Sequence, residues 1–177
     1  MLIRIIEEVK KSIDNECFIA ALALALTIPD ICGKAKYPKS GVGDRYIKWY
    51  DEYIGNEEKP QSEYSADMPY SSGELIYSLR NSMLHQGTPN VNASNIKEER
   101  CKVDEFVLTI SDPTDNGISG VSYGKGLKIV KRMLKVNIIY LCNKLCKVAN
   151  IYYNNNKSRF NFFQYELYDS RKDDDFF

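Results

Sequence analysis

The chain has 177 residues, 24 Lys+Arg against 24 Asp+Glu, and one histidine. That length suits one compact domain with a real core rather than two. Zero net charge excludes nucleic-acid binding driven by overall charge, so any RNA or DNA contact has to come from a local patch.

Residues 2 to 13 carry Leu2, Ile5, Ile6, Val9 and Ile13 at helical spacing, and "DNE" can cap a second helix starting near 15. This second helix is apolar nearly all round, which predicts a buried centre, with Pro29 and Gly33 at its fraying end. Its apolar run "CFIAALALALTI", 17 to 28, falls short of the about 20 residues a bilayer span needs. A soluble cytoplasmic protein with no membrane partner is therefore expected. The five cysteines (Cys17, Cys32, Cys101, Cys142, Cys146) contain no CxxC pair and fit a reducing setting.

"DRYIKWYDEYIG", 44 to 55, reads as a helix capped by Asp44 and stopped by Gly55, with Tyr46, Trp49, Tyr50 and Tyr53 as a core-packing stripe. A polar loop covers 56 to 71, and a helix then runs from Ser72 to about His85, ended by "GTP". After a loop at 88 to 102, "VDEFVLTIS" (103 to 111) and "GISGVSYG" (117 to 124) alternate as the two strands of a small hairpin. Leu127, Val130, Leu134, Ile138, Leu141 and Leu145 then step by three and four, predicting a long helix over roughly 126 to 150. The tail from Arg159 reads as a docked aromatic segment followed by the acidic "KDDDFF". The expected fold is mainly α: an up-and-down bundle of four to five helices with a β-hairpin insert near 103–123. It forms a single domain over 1–177 with a C-terminal extension from about 155.

The chemistry concentrates in "LRNSMLHQG", 79 to 87, which holds the only histidine five residues after an arginine. Arg80 falls between Ile76 and Leu84, beside the apolar stripe, where a charge is costly unless paired or reaching outward. On an ideal helix at about 100° per residue, Arg80 and His85 lie about 140° apart. Convergence then requires a wrapped arginine side chain, a distorted helix end at Gly87, or a second copy of the helix across a symmetric dimer.

"RNSMLH" matches the R-x4-6-H signature of the HEPN superfamily, including the polar residue often found just after the arginine, here Asn81. The helical context, with the motif near a helix C-terminus and a long helix following, also resembles that family's four-helix bundle. The resemblance implies a homodimer whose paired motifs form a metal-independent endoribonuclease site that needs no cofactor, with RNA as substrate. His85 would activate the ribose 2′-hydroxyl or protonate the leaving oxygen, Arg80 would neutralise the scissile phosphate, and Asn81 would orient. It also implies a toxin or phage-defence setting with an antitoxin or defence-system protein as partner. Toxins of this family paired with nucleotidyltransferase antitoxins often carry a tyrosine two residues after the histidine; this chain has Gly87 there.

The residue types suit that chemistry by themselves. Histidine, with a reference pKa of about 6.5, shuttles protons near neutrality, and guanidinium makes bidentate contacts to phosphate. The competing readings are a non-catalytic binding or assembly module, and a plain helix end. In the latter His85 sits at the negative dipole end and Arg80 pairs with Glu74 or Asp67. Lys125, Lys128 and Arg132, with Lys131 and Lys135, form a basic cluster on the first turns of the long helix that could lead RNA to the motif. Cys142 and Cys146 stand one helical turn apart, but no further Cys/His pair completes a metal site, and buried thiols are expected.

Overall fold

Helix α1 (Leu2–Asp14) buries Leu2, Ile6 and Val9, four and three residues apart, and turns its charged face to solvent. In this computed structural model, which describes residues 1–162, the apolar run that follows divides into two helices. Ala21, Leu22 and Ala25 of α2 (Phe18–Ala25) and Ile28 and Cys32 of α3 (Ile28–Lys36) have no solvent exposure. The single helix expected from about 15 is therefore corrected: the chain turns at Leu26 and Thr27, and Pro29 opens α3 rather than ending its predecessor. Proline suits a helix's first turn because the N–H it lacks has no partner there anyway. The stretch Phe18–Lys36 has the length and apolarity of a membrane span, and half of it is buried inside the protein. At Gly33 an added Cβ would lie 2.5 Å from the Arg45 carbonyl oxygen, so α3 meets the next helix backbone against backbone.

That helix, α4 (Val42–Tyr50), continues through a wider π turn at Asp51–Gly55 and a single turn, α5 (Asn56–Glu58). Tyr46, Trp49 and Tyr50 are fully buried, as their spacing suggested, and Tyr53 stacks on Trp49 with ring centroids 5.2 Å apart. The π turn has a local cause. Asp51 accepts a 2.6 Å hydrogen bond from the Gly73 N–H, and the missing side chain of Gly55 leaves room for its carboxylate. This contact joins α4 to the start of α6 (Gly73–Gln86), the helix that carries the motif.

The sheet departs most from the sequence reading. Strands β1 (Glu105–Thr109) and β2 (Gly117–Tyr123) do not form the expected 103–123 hairpin. Both pair with β3 (Ile129–Asn137), which lies between them, parallel to β1 and antiparallel to β2. The helix expected over 126 to 150 is corrected accordingly, since 129 to 137 is extended and α7 spans only Ile138–Asn155. Leu127, Val130 and Leu134 do fit a helical period, but β-branched Ile129, Val130 and Val136 favour strand, and hydrogen bonding on both edges holds β3 extended.

Asn137 marks the change from strand to helix. Fully buried, it caps α7 by accepting from the Ile139 N–H at 3.1 Å, and its amide donates to the Asp112 and Asp115 carbonyls, each at 2.8 Å. From there α7 lays Leu141, Cys142, Leu145, Cys146 and Ala149 against α1, α2 and α3. Phe160 docks edge-on to Tyr152 and Tyr153, so the tail's aromatic start is packed, whereas "KDDDFF" lies outside the described residues. The protein is mainly helical with a small three-stranded sheet.

Candidate functional site

Helix α6 is fixed at its N-terminus by two bonds. The Ser72 hydroxyl accepts from the Leu75 N–H at 3.3 Å, and the Gly73 N–H reaches Asp51 on α4. Leu75, Ile76 and Leu79 bury one face completely. At the other end Gly87 adopts φ 68°, a left-handed conformation that glycine enters without a Cβ penalty. Its N–H returns to the Ser82 carbonyl, five residues back instead of four, and the Thr88 N–H points to the same oxygen at 3.3 Å. The last turn is thereby widened.

Arg80, one half-turn earlier, meets His85 beside this widened turn. Arg80 Nη1 lies 3.1 Å from His85 Nε2 and donates to Asn81 Oδ1 at 2.9 Å, so all three residues of the motif come together within one protomer. The ideal-helix separation is overcome by the arginine's length and the loosened helix end. Guanidinium has no acceptor, so this contact is a hydrogen bond only when His85 carries its proton on Nδ1 and offers the Nε2 lone pair. Arg80 Nε is buried without a partner, whereas Nη2 has no partner among the described residues and is not among the fully buried atoms. Nε faces inward, Nη1 is taken by Asn81 and His85, and Nη2 remains available.

The carboxylates considered as partners for Arg80 are engaged elsewhere. Glu74 accepts from the Lys97 and Glu98 N–H groups at 2.7 and 3.2 Å, and Asp67 accepts from the Tyr123 hydroxyl at 3.1 Å. Among the described residues no ion pair involves Arg80. The chain after the motif folds back along α6. The Ser78 hydroxyl accepts from the Asn92 N–H at 2.9 Å, and Glu74 then holds residues 97 and 98. On the other side lies α4, where the Tyr46 and Tyr77 rings are 5.1 Å apart.

Lys125, Lys128 and Arg132 do not lie on the long helix expected for them. Lys125 and Lys128 sit in the turn joining β2 to β3, closed by a 2.8 Å bond from the Gly124 N–H to the Lys128 carbonyl, with Gly126 and Leu127 at φ 71° and 57°. Arg132 lies on β3, where alternate residues face opposite sides. It shares the face of buried Leu134 and Val136, and its Nε is buried without a partner. Lys131, on the opposite face, pairs with Glu105 at 2.6 Å. The expected single basic helix face is thus split between a hairpin tip and two sides of a strand.

Cys142 and Cys146 are buried, and burial pushes their thiols up to about 12 and about 11. Among the described residues no cluster of three or more His, Cys, Asp or Glu side chains could hold a metal ion. Sequence reasoning missed the Tyr46 hydroxyl, which is fully buried without a hydrogen-bond partner beside the motif helix. The aromatic stripe revealed the ring but not its polar end. Comparison with protein-family models, curated proteins and solved structures finds no match to this chain.

Proposed function

We propose that this protein is an endoribonuclease of the HEPN kind, cleaving RNA without a metal ion at a site built from Arg80, Asn81 and His85 of two copies of the chain. The observation that carries this reading is the 3.1 Å approach of Arg80 Nη1 to His85 Nε2, which puts a permanent cation and a proton-transfer group at one point. His85 Nε2 takes the proton of a ribose 2′-hydroxyl, whose oxygen attacks the adjacent phosphorus. The bond to the 5′ oxygen breaks, and that oxygen is protonated by the His85 of the second copy. The products are a 2′,3′-cyclic phosphate and a 5′-hydroxyl. Arg80 balances the charge that accumulates on the phosphorane oxygens, through Nη2. Asn81 holds Nη1 in place. Lys125 and Lys128 on the hairpin tip, together with Arg132, supply backbone-phosphate contacts. In this reading the helices form an up-and-down bundle, and a toxin or defence role, with an antitoxin or defence-system partner, follows from the same resemblance.

A second reading has a specific observation in its favour. Arg80 covers the Nε2 lone pair of His85 within the protomer, so the base is occupied until substrate draws the guanidinium away. A module that binds RNA, nucleotide or a protein partner without cleaving it would look the same. The two readings separate in one experiment: a mixed RNA pool incubated with purified protein in EDTA, beside His85→Ala and Arg80→Ala proteins checked for folding and oligomeric state. Cleavage to cyclic-phosphate ends by the parent, lost in both folded variants, is expected. Equal background from all three proteins refutes catalysis on those RNAs and leaves the binding reading.

A further inference from the structure

Two buried polar groups, one on α4 and one on α6, have no hydrogen-bond partner among the described residues: the Tyr46 hydroxyl and Arg80 Nε. They are complementary in kind, because Nε–H can only donate and a phenolic oxygen can accept. Geometry brings their surroundings together. Tyr46 is fully buried on α4, its ring lies 5.1 Å from Tyr77, and Tyr77 precedes Arg80 by three residues, one position along the same face of α6. At Gly43 an added Cβ would come within 3.2 Å of the Tyr77 ring, which places this part of α4 directly against α6. The positive charge of Arg80 also acts on the Tyr46 hydroxyl, opposing the upward push that burial gives it.

Leaving either group unsatisfied in the interior carries a full desolvation penalty, whereas joining them removes both penalties at once. We propose that Tyr46 is a positioning residue for Arg80: its hydroxyl accepts the Nε–H through one enclosed water, and so decides which side of the guanidinium faces substrate. This rests on the ribonuclease reading for its consequence but not for its geometry. With Nε held inward and both protons of Nη1 taken by Asn81 and His85, Nη2 and its two protons are what is left for a phosphate. Without the anchor the arginine side chain keeps its charge but loses its fixed orientation, and orientation is what a transition-state contact needs.

The test is Tyr46→Phe, which removes one oxygen and keeps the ring. Tyr152→Phe, at a buried tyrosine in the aromatic cluster around Phe160, serves as the control. The first readout is the Arg80 Nε–Hε signal of 15N-labelled protein, assigned by its loss in Arg80→Lys. In Tyr46→Phe this signal shifts and its hydrogen exchange quickens about tenfold, the factor of one net hydrogen bond; in Tyr152→Phe it does neither. The urea midpoint falls, because Nε loses its acceptor; an orphan hydroxyl would make it rise. The second readout is RNA cleavage, with kcat about tenfold lower and KM unchanged in Tyr46→Phe. If the parent cleaves no RNA, the ribonuclease reading fails and the Arg80 signal alone decides the positioning role. An unmoved Arg80 signal overturns that role, whether or not cleavage changes.

Discussion

Asn137 offers the sharpest test of how the sheet is joined to the helices. Its side chain caps α7 through Ile139 and donates to the Asp112 and Asp115 carbonyls, all within an environment that leaves it no solvent exposure. The N-cap bond contributes about 1 kcal/mol and each of the two amide bonds about 1 kcal/mol net. Asn137→Ala should therefore cost roughly 3 kcal/mol, or about 6–12 °C in Tm for a domain of this size. Asn137→Ser keeps a capping oxygen but is too short to reach the two carbonyls, so its cost should be roughly 2 kcal/mol. Urea unfolding followed by circular dichroism measures both, and the difference between the variants isolates the cap. The reasoning is refuted if Asn137→Ala loses less than about 1 kcal/mol, or if Asn137→Ser is no better than Asn137→Ala.

Asp51 is held above the usual carboxylate range, chiefly by burial, which outweighs the lowering effect of the Gly73 N–H. Its ionisation therefore opposes folding. Asp51→Asn keeps an oxygen for Gly73 and should stabilise the protein at neutral pH, with an advantage that shrinks as pH falls through the raised folded-state value and vanishes below the unfolded carboxylate's about 3.9; chemical unfolding at a series of pH values checks this, and an equal advantage at every pH would contradict it. Cys17 is exposed while Cys32, Cys101, Cys142 and Cys146 are buried, so a thiol reagent should label one cysteine rapidly in native protein and the rest only on unfolding. Rapid native labelling of Cys142 or Cys146 would show that the α7 interface opens. Gly87→Ala meets no neighbour within 4 Å, so its cost should be the left-handed backbone alone, about 1 kcal/mol; a calorimetric loss several times larger would mean that the helix end carries more than its own turn.

Helix α6 was legible because its signals are local: Ser72 before it, an apolar face through Leu75, Ile76 and Leu79, and glycine then proline after it. The site was legible as a spacing and not as a geometry. Nothing in the order R-N-S-M-L-H states that the Gly87 N–H will reach back to Ser82 and loosen the turn that carries His85 toward Arg80. Strand β3 was misread for a related reason. Its apolar residues satisfy a helical period over two turns, and the information that overrides them lies in partners distant in the chain, Phe106 opposite Leu134 and Ser119 on the other edge. Asn137 followed by two isoleucines is, in retrospect, a cap signal, and it marks the true start of α7.

The middle strand of the sheet is also the last strand among the described residues. During synthesis, β1 and β2 emerge with no neighbour to bond to, and their edges stay open until residues 129 to 137 arrive. That same stretch runs without a break into α7, which covers the apolar faces of α1, α2 and α3. Completion of the sheet and sealing of the helical core are therefore one late event rather than two. A chain interrupted before Ile129 keeps α6 and its motif but lacks both the strand and the helix that complete the sheet and the core, so a folded product depends on translation passing well beyond Arg80 and His85.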